Sequence, residues 1–263
     1  MKDLNIYIPS KNRASNCKTA NELLNYGHNT FKIVVEPQDY DSYIEHYNKE
    51  NVLVLDKNDQ GLGYSRQYTK EYDYGLNNEF HWTLDDDLRF FTRIKIYDEQ
   101  EQKVKGKNIP ADPMLCFKKI ESVVDNYSNI GQAGLIHQAF AWTKKTDIDY
   151  NKQCSSAFMI NNTTKAKMRL RMKQDTDYSM QILNGGWVTM NFNKYLYDNP
   201  PFGKVEGGLT DEYKNNAEEL QRELIKLWPV FEQEKVIGKE YATRIKPNRV
   251  WNKFQQRPIW KQN

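Results

Sequence analysis

Asp85, Asp86 and Asp87 follow the apolar run FHWTL (80–84) without a break. Adjacent carboxylates repel one another, and a divalent cation among them removes the penalty. Mg²⁺ or Mn²⁺ takes one or two carboxylates and completes its shell with substrate phosphates and water. In extended geometry Asp85 and Asp87 project to one side and Asp86 to the other. Asp85 and Asp87 are therefore candidates to share a metal and its nucleotide, while Asp86 makes a different contact. The plainer alternative is an acidic turn or helix cap. A second acidic pair, Asp175 and Asp177 in KQDTDYSMQILNGGW (173–187), begins a helical stretch. Carboxylates there are stabilised by the helix N-terminus; a positioned one can also take a proton from a hydroxyl nucleophile.

Cationic and polar groups sit in two further loops. In IPSKNR (8–13), after Pro9, Ser10 and Asn12 can hydrogen-bond a base or ribose, and Arg13 can reach phosphate or stack on a ring. In GLGYSRQ (61–67), Gly61 and Gly63 allow close backbone approach, and Arg66 falls on the first turn of a helix. Ordinary capping explains the first loop and a positive-φ loop the glycines of the second without a ligand; Arg66 is explained less well that way. The chain contains neither GxGxxG nor GxxxxGK[ST], so the usual dinucleotide and P-loop fingerprints are absent.

The elements that must position these groups alternate. LNIYIP (4–9), FKIVVE (31–36), NVLVL (51–55) and FHWTL (80–84) read as strands of near-continuous apolar character. Residues 14–27, Pro37 to about Asn48, and Tyr64 to Tyr74 read as helices between them. Such alternation predicts a parallel sheet buried on both faces, with ligands bound beyond the carboxyl ends of its strands. Pro9–Arg13, Glu36, Gln60–Arg66 and Asp85–Asp87 then converge on one rim. Further on, 90–97 reads as a strand and 99–108 as a charged loop or hairpin tip. Pro113–Tyr127 reads as a helix, and 129–142 and 154–161 as strands. Thr176–Gly186 and Ala217–Trp228 read as helices.

The 263 residues are 38% hydrophobic and 28% charged, with a formal net charge of +3, which fits a globular chain. No apolar run is long enough to span a bilayer, and the N-terminus has no long apolar signal core, so a cytoplasmic protein is expected. Cys17, Cys116 and Cys154 are widely separated and read as free buried thiols. The four histidines form no HExxH, which argues against a zinc hydrolase. The segment from Ala242 to Asn263 carries six Lys or Arg and no acid, with Trp251, Phe254 and Trp260 among them. That pattern suits a polyanion with stackable bases; it equally suits tryptophans packed on the core with cations facing water. Trp142 and Trp187 join Trp251 as stacking or core residues.

The IPSKNR loop, the GLGYSR segment, the strand ending in DDD and the QD-x-D helix trailed by GGW resemble, in order and spacing, the GT-A glycosyltransferases. VEPQDYDSY (35–43), NDQGLGYSRQY (58–68), FHWTLDDDLRFF (80–91) and the GGL at Gly207–Leu209 resemble, more narrowly, the TET-associated glycosyltransferases. These are a phage-enriched group credited with adding sugars to hydroxymethylated pyrimidines in DNA. The resemblance implies an α/β GT-A-like Rossmann-type sandwich, with a mostly parallel central sheet and helices on both faces. Residues 1–212 would form it, 1–90 handling the nucleotide and 91–212 the acceptor, and 213–263 would be a C-terminal helix and basic aromatic tail packed on the same domain. It implies a UDP-sugar donor held by Pro9, Ser10, Arg13, Glu36, Gly63, Arg66, Asp85 and Asp86. Mn²⁺ or Mg²⁺ would sit at Asp85 and Asp87, with Asp175 as the base of an inverting reaction. Gln174 stands where many relatives have Glu, which leaves Asp177 as the second candidate base. Double-stranded DNA bearing 5-hydroxymethylcytosine, ahead of 5-hydroxymethyluracil, would be the acceptor, bound through the C-terminal segment in the host cytoplasm. A saccharide or protein acceptor, a non-catalytic nucleotide- or DNA-binding role, and nucleotidyl transfer are the competing readings.

Overall fold

In the computed structural model, residues 4–200, 219, 222–231, 233–235, 243–245 and 250–262 are described. The first four strands are β1 (Ile6–Pro9), β2 (Lys32–Val35), β3 (Val52–Val54) and β4 (Phe80–Leu84). They lie side by side in the order β3-β2-β1-β4, all parallel. Their alternate residues serve two layers, which is why the runs are apolar throughout. Ile6, Ile8, Ile33, Val35, Trp82 and Leu84 face a core shared with Leu23 of α1 (Lys18–Asn25) and with Phe117 and Ile120 of α4 (Pro113–Val124). Tyr7 and Val34 face the other way, against Tyr64 and Tyr68 of α3 (Leu62–Gly75).

Beyond β4 the sheet becomes mixed. β9 (Ala157–Asn161) pairs antiparallel with β4 and with β7 (Ile130–His137); β10 (Val188–Asp198) runs parallel to β7. The hairpin of β5 (Arg89–Asp98) and β6 (Lys103–Pro110) closes that edge, and the short β8 (Ile148–Tyr150) pairs with β10. The sheet has ten strands and is continuous from β3 to β6. α5 (Gln174–Asn184) packs Tyr178 and Ile182 on Phe158 and Ile160, on the α3 side. Helices thus cover both faces, as the GT-A-like reading implies.

Several boundaries differ from the sequence reading. Residues 14–27 form a 3₁₀ turn, Ala14–Asn16, followed by α1, and Gly27 takes a φ of +80° beyond its end. Residues 37–48 break into a 3₁₀ turn, Pro37–Asp39, and the single helical turn α2 (Tyr40–Ile44). The charged run 99–108 is mostly strand: only 99–102 make the tip, and Lys105 and Lys107 of β6 lie on the strand at the sheet edge. The strand from 130 stops at His137 and gives way to a 3₁₀ segment, Gln138–Thr143. β8 and β10 are strands that the sequence reading did not include.

The described part of the C-terminal region packs on α5. Trp251 is buried with Leu224, Phe231, Leu170, Met180 and Leu183. The Trp260 ring lies 4.6 Å from that of Tyr127. A helical turn spans 222–227, and β11 (Gln233–Lys235) pairs with β12 (Thr243–Ile245). The rest of the expected helix from Ala217, and Gly207–Leu209, lie outside the described residues. Cys17, Cys116 and Cys154 are free and buried, as expected.

Candidate active site

The acidic turn is fixed from two sides through its backbone. Thr19, at the start of α1, donates its hydroxyl to the Asp85 carbonyl at 2.5 Å and accepts from Leu88 N at 2.9 Å; its own N–H reaches the Asp86 carbonyl at 3.1 Å. Asp85 N donates to Ser156 O at 2.7 Å, on the approach to β9. With the backbone held, the three carboxylates diverge. Asp86 turns to the β1 loop: Ser10 Oγ donates to Oδ2 and Arg13 Nη1 to Oδ1, both at 2.5 Å. Tyr43 OH supports both partners, donating to Ser10 Oγ at 2.6 Å and accepting from Arg13 N at 3.1 Å. Asp85 turns to Arg66, whose Nη2 donates to Oδ1 at 2.5 Å. Arg66 is only 2% exposed, lies 5.2 Å from the Phe158 ring centre, and leaves its Nε without a hydrogen-bond partner among the described residues.

Asp87 is different. It accepts no hydrogen bond from a described residue, and Arg13 Nη1 stands 3.7 Å away. Burial pushes all three carboxyls above the usual range. Asp87 is pushed to about 7, first by burial and then by Asp85 and Asp86, with Arg13 and Lys18 only partly opposing. Two arginines serve two carboxylates at hydrogen-bond distance, and the third shares Arg13 with Asp86 across a longer 3.7 Å ion pair. Asp87 also lines a cavity of about 740 Å³ with Lys18, Arg89, His137 and Asp198. Among the described residues no cluster of three or more His, Cys, Asp and Glu converges as a metal cage. Asp87, with Asp85 nearby, presents carboxylate oxygens of the kind Mg²⁺ takes when phosphates and water complete its shell.

Glu36 lies past the end of β2, buried, accepting from Gln38 Nε2 at 2.7 Å and pairing with Lys11 at 2.8 Å. Lys11 also pairs with Asp59. Pro9 ends β1 and is buried beside this rim. Gly63 does something other than approach a ligand. A Cβ there would collide with the Leu170 carbonyl oxygen, so its smallness lets α3 sit against the chain's own 166–173 segment. Gly61, at φ +84°, is the positive-φ loop residue of the plainer alternative.

The two aspartates of α5 separate cleanly. Asp175 accepts from Gln153 Nε2 at 2.7 Å and from Thr176 N at 2.8 Å. It lies near enough to Asp85 for its charge to help raise that carboxyl. Tyr197, between them, is pushed up to about 12, chiefly by burial and further by Asp85 and Asp175. Asp177 is fully buried: Arg169 donates at 2.5 and 3.1 Å, Trp228 Nε1 at 2.7 Å and Gln181 Nε2 at 2.9 Å. Both of its oxygens are engaged, Oδ2 by Arg169 and Gln181 and Oδ1 by Arg169 and Trp228, the last tying α5 to the C-terminal region. That is the opposite of a free base, and it corrects the choice of Asp177 as the second candidate.

Sequence reasoning missed Thr19, Tyr43, Lys11, His137 and Asp198. The last two follow the pattern that served elsewhere, polar residues at the carboxyl ends of strands, but β10 had not been recognised and β7 had been drawn too long. Trp142 is neither core nor packed: it is 75% exposed.

No curated protein matches the chain. Among solved structures, mannose-1-phosphate geranyltransferase from Thermus thermophilus aligns at 8% identity and a TM-score of 0.41, over 75% of this chain and 76% of that one. The inositol-1-phosphate CTP transferase from T. maritima aligns at 10% identity and 0.41, over 84% and 96%. GalNAc-T7, solved with UDP, GalNAc and Mn²⁺, aligns at 10% identity and 0.35, over 86% of this chain and 50% of that one. The sequence model of the TET-associated glycosyltransferases matches residues 4–208, well over half of the chain. The protein that carries this arginine-buttressed acidic turn thus belongs to the TET-associated glycosyltransferase family and is a glycosyltransferase.

Proposed function

We propose that the protein transfers a sugar from a UDP-sugar to the hydroxyl of a hydroxymethylated pyrimidine in double-stranded DNA, 5-hydroxymethylcytosine ahead of 5-hydroxymethyluracil. The observation that carries this reading is the carboxyl of Asp87, poorly compensated and turned into a cavity, with Asp85 and Asp175 close by. The nucleotide occupies the rim of β1 to β4, where Ser10, Arg13, Glu36 and Arg66 lie. Asp87 and Asp85 would hold a divalent cation, Mn²⁺ or Mg²⁺, which would supply positive charge to offset that on the leaving diphosphate. Asp175 accepts the proton of the acceptor hydroxyl as its oxygen bonds the anomeric carbon and the bond to the diphosphate breaks. One displacement inverts the anomeric centre, with the oxocarbenium character common to glycosyl chemistry.

Residues 1–90 serve the nucleotide and 91–212 the acceptor. A base in duplex DNA must be flipped out to reach the cavity, at a cost of a few kcal/mol. Lys253, Arg257 and Lys261 of the C-terminal segment are exposed, while Trp251 is committed to packing. Among the described residues no helix is long and apolar enough to cross a membrane. A host-cytoplasmic setting during phage infection is the setting in which such DNA is modified.

Mass spectrometry of nucleosides tests the reading directly. Incubation with modified duplexes and a panel of nucleotide sugars is expected to add one hexose or pentose mass to the hydroxymethylated nucleoside and leave unmodified cytosine and thymine unchanged. Unaltered nucleoside masses across the panel, with sugar passing instead to a saccharide or protein, would exclude the DNA acceptor.

A further inference from the structure

A second depression, of about 680 Å³, lies further along the strands that border the reaction cavity. Among the described residues its lining includes Arg93, Lys95, Lys119, Lys144, Lys145 and Lys194, against a single carboxylate, Asp147. Lys144 pairs with Asp149, and Arg93 donates to Asn108 Oδ1 at 2.9 Å. The other four cations pair with no carboxylate among the described residues. Cations left unpaired together raise one another's electrostatic cost, which an anionic partner removes.

Two elements join this depression to the reaction cavity. Arg89 on β5 and Asp198 on β10 pair in register, and both line the reaction cavity. Arg93 and Lys194 stand four residues along the same strands, on the order of 13 Å away. The 3₁₀ segment Gln138–Thr143 is the second link: it leaves His137, which lines the first cavity, and its Ala141 lines the second. That segment exposes Phe140 by 61% and Trp142 by 75%, and the Phe140 ring lies 5.9 Å from His137. Two large rings held in water beside a row of cations form the surface that stacks bases while the cations follow phosphates.

We propose that this face, from Arg89 to Lys145, carries the backbone of a nucleic-acid strand to the reaction cavity, with Phe140 and Trp142 as stacking platforms. It rests on the DNA-acceptor reading for what the strand delivers, and it places the main contact on the strands between the reaction cavity and the C-terminal segment, whose end meets Asn126, a few residues past Ser122 and Val123 of the depression's lining. The end of that segment lies at the opposite end of β7 from the reaction cavity. Ser128 N donates to Ile259 O and Lys261 N to Asn126 O, at the start of β7, whereas the cavity lies past His137 at its finish. Eight residues of strand separate the two by roughly 25 Å.

The test compares two charge variants of the full chain, Lys119→Ala/Lys145→Ala/Lys194→Ala on this face and Lys253→Ala/Arg257→Ala/Lys261→Ala on the C-terminal segment. The measurement is affinity for a hydroxymethylated duplex against salt, with thermal unfolding as the folding control. Each phosphate contact contributes about 0.9 to the slope of log K on log salt. The face variant is expected to lose about 2 to 3 from that slope and the C-terminal variant none. Trp142→Ala is expected to weaken binding about tenfold with little change in slope, as stacking rather than charge predicts. An unchanged slope in the face variant, or a loss confined to the C-terminal variant, overturns the proposal. If the duplex binds with a face-dependent slope but receives no sugar, the docking surface stands and the acceptor reading falls. If the wild-type chain binds no DNA at low salt, both fall.

Discussion

Asp175→Asn is expected to lower sugar transfer by about 10²–10⁴-fold while leaving UDP affinity within about twofold. The size follows from the role. An amide cannot accept the acceptor's proton, and the hydroxyl then attacks without losing it. The side chain changes little in shape, and its surroundings tolerate the change. The amide oxygen can still accept from Thr176 N, Gln153 can turn its own amide so that its oxygen accepts from the new NH₂, and loss of charge next to Asp85 removes a repulsion. Asp177→Asn provides the contrast. It breaks a buried pairing with Arg169 and a bond from Trp228, so it is expected to cost about 1–3 kcal/mol of stability and leave the rate per folded molecule intact. Single-turnover rates beside thermal melts distinguish the two. A rate loss in Asp177→Asn with full activity in Asp175→Asn would reverse the assignment of the base.

Asp87→Asn should abolish transfer, about 10³-fold or more, yet make the folded protein no less stable. The reasoning starts from its titration. Asp87 is held at about 7, well above the ordinary 3.8, by burial and two neighbouring carboxyls. In the metal-free protein the native state therefore binds more protons than the unfolded chain between about pH 4 and 7. Stability falls as pH rises through that window, by an amount on the order of a few kcal/mol. Asparagine carries no charge and removes the penalty, so the melting temperature at about pH 8 should rise or stay level and its pH dependence should flatten. A residue that costs stability and is indispensable to the reaction is retained for what it binds. A marked drop in melting temperature under those conditions would mean that Asp87 holds the fold together instead.

How much of this was legible in the residues divides near position 90. The first four strands are buried on two faces, so their apolar runs are continuous and the polar clusters at their ends stand out. Phe80–Leu84 and the aspartates after it could be placed without coordinates. Past that point strands carry polar residues inward. On β10, Thr189, Asn191 and Asn193 are buried; the asparagines donate their amides to loop carbonyls at Gln153 and Thr146. Such a strand has no apolar run to announce it, and the Asp198 at its end went unseen with it. Gly63 shows the opposite error. Sequence could tell that something comes close to its backbone, but the neighbour is Leu170, about a hundred residues away, and not a ligand. Asp175 and Asp177 look interchangeable in a string of letters. Two positions on a helix differ by roughly 200°, and only packing shows that one side meets Arg169 and Trp228 while the other meets Gln153.

Titration of UDP by calorimetry, with Mn²⁺ and then with EDTA, on the wild-type chain and on Asp87→Asn, reaches the central claim most directly. The acidic turn is expected to hold the nucleotide through a cation. Mn²⁺ should therefore tighten UDP binding to the wild type by roughly tenfold or more, and this gain should vanish in Asp87→Asn. Equal affinity in Mn²⁺ and EDTA, or a full Mn²⁺ gain in Asp87→Asn, would contradict it.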